Sequence, residues 1–149
     1  MAEFITLSSI ESRQETSSAR TYFFRTGSEF VYLPGQYVAL KLEGVEDPRG
    51  PQRPFTLSTS PTEKEWIGIT VKTTGSPFKE ELLKIAEQGG ELEGQLRMRG
   101  PMGNFILDSD RPAIMLAGGI GITPFRSMIR YIADKSYNLP VVLIYSNDT

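Results

Sequence analysis

Two short runs and one helix start hold the residues best suited to chemistry. The first run is Gly118-Gly-Ile-Gly-Ile-Thr-Pro124. It follows an apolar stretch and precedes one with helical spacing. Glycines at 118, 119 and 121 let the backbone approach a ligand closely, and the start of the next helix favours an anion such as pyrophosphate. Thr123 is placed to cap that helix, with Pro124 in its first turn. The spacing is not Gly-x-Gly-x-x-Gly, because Pro124 takes the third small position. A tight strand-to-helix connection without a ligand uses the same residues. The second run is Arg53-Pro-Phe-Thr-Leu-Ser58. Arg53 carries the planar fork that clamps a phosphate. Phe55 offers a face to a flat ring, and the Thr56 hydroxyl can donate or accept. An ordinary strand with a surface arginine fits this run equally. The helix start is Ser76, after Gly75, where the helix dipole favours an anion. Lys72 lies close enough in sequence to add positive charge there, although simple capping explains Ser76 as well.

Composition narrows the chemistry further. Among 149 residues there is no cysteine and no histidine. Disulfides, thiolate-bound iron–sulfur clusters and Cys/His zinc sites are therefore excluded within this chain. So are Ser-His-Asp and Cys-His hydrolase centres. Catalysis here points to an organic cofactor. Acidic residues number 18 and basic residues 16, for a net charge of -2. That balance gives no drive towards nucleic acid or an anionic membrane. The start Met1-Ala-Glu-Phe-Ile-Thr-Leu lacks the pattern of a signal peptide, and no apolar run reaches the roughly 20 residues of a membrane span. The expectation is a cytoplasmic protein without membrane insertion.

The elements that must position these residues fall into two groups. Up to about residue 108 the pattern is that of short strands. Phe4 to Ser9, Ala19 to Arg25, Leu33 to Leu42, Phe55 to Ser60, Trp66 to Thr73 and Gln95 to Arg99 read as strands separated by turn signals. Val38, Leu40 and Leu42 share one face of the third. Residues 43–52 read as a surface loop and Gly100 to Gly103 as a turn. Tyr22, Phe23 and Phe24 read as core, and Tyr37 as strand packing. One helix interrupts the strands, capped by Ser76, with Pro77 in its first turn, a stripe of Phe78, Leu82, Leu83 and Ile85, and Gly89-Gly90 at its end. After the polar stretch 107–112 the pattern changes. Ala113 to Ala117 and Leu139 to Tyr145 read as buried strands flanking a helix over Pro124 to Lys135. This is one parallel strand–helix–strand unit of a doubly wound sheet, and a sheet of two strands leaves an apolar surface uncovered. A fragment, or a split protein completed by another chain, is the expectation.

The ordered series Pro34-Gly-Gln-Tyr37, Arg53 to Ser58, Ile69 to Lys72, Gly75 to Lys79, Gly100 to Phe105 and Gly118 to Pro124 resembles the ferredoxin–NADP+ reductase superfamily of flavoproteins. The resemblance covers nearly the whole chain. It implies a six-stranded antiparallel Greek-key β-barrel with one helix, binding FAD or less often FMN, over residues 1–108. It implies the N-terminal, incomplete part of an α/β NAD(P)-binding domain over 109–149. In that family hydride passes from NADH or NADPH to flavin N5, and electrons pass on to an acceptor such as an iron–sulfur protein. By resemblance Arg53 pairs with the flavin phosphate. Phe55, after Pro54, takes the place of a tyrosine beside the isoalloxazine, without its hydroxyl. Thr56 matches the hydroxyl that reaches N5 and is the catalytic candidate. Thr70, Val71 and Lys72 match a strand bordering the flavin. Ser76, Pro77, Phe78 and Lys79 match the helix start that receives pyrophosphate, and Gly118, Gly119, Gly121, Thr123 and Pro124 match the nicotinamide-dinucleotide turn. Two functional readings follow: an FAD-dependent NAD(P)H oxidoreductase with a separate acceptor, or a non-catalytic flavin-binding module that serves a partner chain. A cofactor-free β-barrel adaptor is a third.

Overall fold

The computed structural model describes residues 3–89, 92 and 94–147. Its first part has six antiparallel strands and one helix: β1 (Ile5–Thr16), β2 (Ala19–Thr26), β3 (Tyr37–Leu42), β4 (Gln52–Thr56), β5 (Ile67–Lys72), α1 (Pro77–Gln88) and β6 (Leu96–Met102). They form one sheet in the order β4-β3-β6-β1-β2-β5. Its two ends meet: Leu57 bridges Ile69, and the Ser58 amide donates to the Gly68 carbonyl at 2.8 Å. The sheet thus curls into a barrel, with β6 returning between β3 and β1. Alternation decides which side chains fill it. Tyr22, Phe24, Val38, Leu40, Leu42, Leu57, Ile69, Val71, Leu96 and Met98 share one buried cluster. Phe23 points the other way, against Trp66 with ring centroids 6.5 Å apart. The expected core triplet is therefore a core pair with one outward ring.

Helix α1 closes the barrel. Ser76 is its N-cap, accepting from the Lys79 amide through Oγ at 3.4 Å, with Pro77 at the start and Gly89 at the end. Gly90 lies outside the described residues. Phe78, Leu82 and Ile85 turn inward from it. Several element limits differ from the sequence expectations. β1 runs seven residues further than Ser9, to Thr16, because β2 pairs with it along the hairpin as far as Thr16 opposite Ala19. Gly100 and Pro101 belong to β6 rather than to a turn: their peptide bond is cis, and the strand keeps pairing with β3 up to Met102 opposite Tyr37.

Residues 103–112 hold no strand or helix. Beyond them come β7 (Ala113–Gly118), a one-turn 3-10 helix (Gly119–Ile122), α2 (Thr123–Asp134) and β8 (Val141–Ser146). β7 and β8 are parallel, in register from Ala113 opposite Val141. On one face Met115 packs with Phe125 and Met128 of α2. The other stays bare, with Ile114, Leu116, Val142 and Ile144 all exposed. Among the described residues no helix is long and apolar enough to cross a membrane.

Candidate functional site

The register brings two sets of sequence-indicated residues together, on opposite faces of β4. Arg53 and Phe55 lie on the side facing α1. The Arg53 guanidinium sits over the Phe78 ring, 5.5 Å from its centroid, and Phe55 lies 6.0 Å from the same ring. Pro54 and Thr56 take the opposite face by alternation. Thr56 stands opposite Tyr37 on β3 and, by the Leu57–Ile69 register, level with Thr70 on β5.

Around Arg53 the arrangement is ionic. Arg53 is only 7% exposed. Its Nη1 donates to the carbonyls of Arg49, Gly50 and Gln52, each at 2.8 Å, and its Nη2 pairs with Asp47 Oδ1. Asp47 Oδ2 accepts from the Phe78 amide at 3.1 Å. The carboxylate therefore occupies the positive end of α1. The Arg49 amide, helped by the Phe78 amide and Arg53 and opposed by burial, holds the Asp47 carboxyl below the usual range. Burial, then the charges of Arg49 and Lys72, pushes the Lys79 ammonium down. The charges of Arg49 and Lys72 thus act on Lys79 beside this helix start. Cations beside a helix N-terminus are donors of the kind that hold phosphates, and here the Asp47 carboxylate already takes the Phe78 amide. Sequence reasoning missed Asp47 and Arg49. Their signal was present: Asp47, Pro48 and Gly50 are the residues of a type I turn at its first, second and fourth positions, and the Gly50 amide does close on Asp47 O at 2.8 Å.

The outward face of β4 and β5 is lined by hydroxyls. Thr70 Oγ1 lies 3.0 Å from Ser58 Oγ and 2.8 Å from Thr21 Oγ1. These residues border a cavity of about 190 Å³ whose far wall is Ile122, Thr123 and Arg126. A larger cavity, about 410 Å³, lies between residues 24–32 and 61–67 and touches none of the candidate cofactor-binding residues. Val71 is buried in the barrel, so only its backbone reaches the outer face.

The glycine turn hangs over the same edge. Gly119 has a φ of +51°, a left-handed value that glycine adopts without strain. A Cβ there would lie 3.9 Å from Lys72 Nζ, whereas around Gly118 and Gly121 there is open space. Tyr145 Oη donates to the Gly119 carbonyl at 3.1 Å. The expected Thr123 cap is corrected. The 3-10 turn runs straight into α2, so Thr123 is already helical (φ -56°, ψ -46°) and makes no capping bond. An N-cap needs an extended residue, and none intervenes. Thr123 is instead buried at the junction, with Pro124 next to it in the first turn of α2.

Comparison with known proteins agrees with this architecture. A family model described as an oxidoreductase NAD-binding domain matches residues 115–149. The glycine betaine monooxygenase reductase subunit of Chromohalobacter salexigens is 35% identical over 141 residues, which are 91% of this chain and 37% of that protein. A ferredoxin reductase in carbazole 1,9a-dioxygenase superposes with a TM-score of 0.79 at 21% identity, over 97% of this chain and 43% of the other. The flavohem-like FAD/NAD-binding domain of nitric oxide dioxygenase from Vibrio cholerae superposes with a TM-score of 0.75 at 18% identity, over 97% and 64%. The chain spans about a third of the length of the curated relatives it matches. With its barrel order and its parallel unit opened by a glycine turn, the chain has the fold of the ferredoxin–NADP+ reductase-like flavoproteins and is similar to them in sequence.

Proposed function

We propose that residues 1–108 bind FAD and that residues 109–149 begin an NAD(P)-binding domain of an oxidoreductase. In this reading the chain would serve the transfer of hydride from NADH or NADPH to flavin and of electrons to a separate acceptor such as an iron–sulfur protein. The chain has no cysteine to hold a cluster of its own. The observation that carries the reading is the placement of the hydroxyl face of β4–β5 under the glycine turn, with the cation cluster at one end. Flavin, when bound, supplies the hydride chemistry. The chain supplies placement. Arg49, Arg53, Lys79 and the start of α1 (Ser76 to Phe78) hold the diphosphate, while Phe55 and the backbone of Thr70 to Lys72 border the ring. Thr56 would offer its hydroxyl to the flavin, and Gly118 to Gly121 would cradle the dinucleotide.

The test is a visible spectrum of the purified chain after addition of FAD, followed by rapid mixing with NADH and NADPH. Flavin absorbance that bleaches supports the oxidoreductase. A chain that takes up no FAD would sink the flavin assignment. Uptake without bleaching would leave the binding-module reading.

Two further results are expected. Thr56→Val should keep FAD affinity within about threefold but slow flavin reduction by about fivefold, the effect of one ordinary hydrogen bond of about 1 kcal/mol. An unchanged reduction rate removes Thr56 from this role. The second concerns pH. Lys79 must be protonated to hold an anion, and its pKa lies below the ordinary lysine value of 10.5. FAD affinity should therefore fall as pH rises through that lowered value, and Lys79→Gln should flatten the fall. Fluorescence titrations between neutral and alkaline pH read both. Parallel curves for the two proteins would count against Lys79.

A further inference from the structure

The segment from Ser58 to Glu63 continues directly from β4, and α2 continues directly from the glycine turn. These two segments are fastened together along most of the helix. Arg126 grips Glu63 with both terminal guanidinium nitrogens, Nη2 to Oε1 at 2.9 Å and Nη1 to Oε2, and Nη1 also donates to the Ser58 carbonyl at 2.9 Å. Glu63 Oε2 accepts from the Ser60 amide at 2.7 Å, so the carboxylate is held from both sides. One residue on, Ser127 is fully buried and donates to the Thr59 carbonyl at 2.6 Å. That carbonyl also accepts from Tyr32 Oη at 2.9 Å, deep in the barrel. Burial pushes the Tyr32 phenol up to about 12. At the far end of α2, Thr62 Oγ1 donates to Asp134 at 2.6 Å.

Backbone proximity reinforces the fastening. Gly35, with a φ of +103°, leaves no room for a Cβ, which would lie 2.1 Å from the Phe105 carbonyl oxygen and 2.5 Å from Met128 Cε. The barrel turn, residues 103–112 and α2 thus meet at one close point. Exposed ion pairs contribute little to stability, and Arg126 and Glu63 are partly exposed at 44% and 28%. What a forked pair on a fixed carboxylate provides is one orientation.

We propose that Arg126 and Ser127 are positioning residues: through Glu63 and Thr59 they set the separation between the hydroxyl face of β4–β5 and the glycine turn. The hydride role of this latch rests on the function proposed above, since that separation would set how closely nicotinamide and flavin are held together. Misplacement of reacting groups by about 1 Å can cost up to a hundredfold in rate.

The test uses the full chain, Arg126→Ala with Ser127→Ala, and two measurements. Because the chain has no cysteine, Glu11→Cys and Lys135→Cys, both at exposed positions, give a spin-label pair spanning barrel and α2. A narrow distance distribution is expected in the parent and a broadened one in the double variant. An unchanged distribution overturns the latch. In the FAD-loaded chain the maximal rate of flavin reduction should fall about tenfold, with FAD affinity within about twofold and little change in the half-saturating nucleotide concentration. Arg126→Lys keeps the charge without the fork and should recover only part of the rate. A broadened distribution with an unchanged maximal rate overturns the positioning role. A parent that no nucleotide reduces overturns the proposed function and the hydride role with it, and the distance measurement then decides the latch alone.

Discussion

Phe78→Ala should lower the stability of the barrel by about 3–5 kcal/mol, the range for truncating a fully buried aromatic. Phe78 is 0% exposed and shares the core with Leu82 and Ile85 of its own helix. Its ring is also the surface on which Arg53 and Phe55 rest. Truncation therefore opens a cavity and removes the support beneath the proposed phosphate site. Phe78→Leu keeps most of the volume and should cost less than about 1.5 kcal/mol. Chemical denaturation of the three proteins reads the difference. A loss below about 1 kcal/mol for the alanine variant would show that α1 does not plug the barrel as described. Where the alanine variant stays folded, it should also retain FAD poorly, because the Arg53 fork loses its platform.

Arg53→Ala should weaken FAD binding by about ten- to a hundredfold, equivalent to the roughly 1.5–3 kcal/mol of a hydrogen bond to a charged group. Equal affinity in parent and variant would remove Arg53 from the site. The structure adds a second way for the residue to act. Its guanidinium ties together the carbonyls of Arg49, Gly50 and Gln52 and the Asp47 carboxylate. Loss of Arg53 would thus also release the turn that presents Arg49. Asp47→Asn separates the two roles. If Arg53 meets the phosphate itself, freeing it from Asp47 leaves affinity unchanged or raised. If Arg53 acts only by holding the turn, Asp47→Asn should weaken binding in the same direction as Arg53→Ala. Arg53→Lys should not rescue either role, because one ammonium cannot serve four acceptors in the plane of a guanidinium.

The parts legible in the sequence were those written in short-range patterns. Alternation at Val38, Leu40 and Leu42 gave β3 its inner face, and Ser76-Pro77 with Gly89 framed α1. The apolar run Ala113 to Ala117 before the glycines marked the parallel unit. What local pattern could not supply was pairing between distant residues. Asp47 reads as a loop aspartate until Arg53 and Phe78 close around it. Ser58, Arg126 and Ser127 read as an ordinary strand end and an amphipathic helix, and their meeting depends on how two separate elements dock. The Thr123 cap failed for a related reason. Residue type favoured it, but the backbone conformation of the preceding turn, which the glycines permit, decided the matter. Which face of β4 each residue takes, Arg53 and Phe55 on one side and Thr56 on the other, was implicit in the alternation. It acquired chemical meaning only once α1 and the glycine turn were in place.

The strand order also bears on the time course of folding. β6 is the sixth strand in the chain yet lies between the first and the third, and Ile5 pairs with Met98 across about ninety residues of sequence. Pairing of that separation is slow, because loop closure must precede the contacts that reward it. On a ribosome the hairpin of β1 and β2 can form early, but the barrel stays open until β6 has emerged. By then α1 has been made and the glycine turn is only some fifteen residues behind. The barrel proposed to hold the flavin is therefore closed only once β6 is made, almost together with the segment proposed to meet the nicotinamide. A nascent chain paused before Leu96 would carry Arg53 and Thr56 without a closed barrel to hold them.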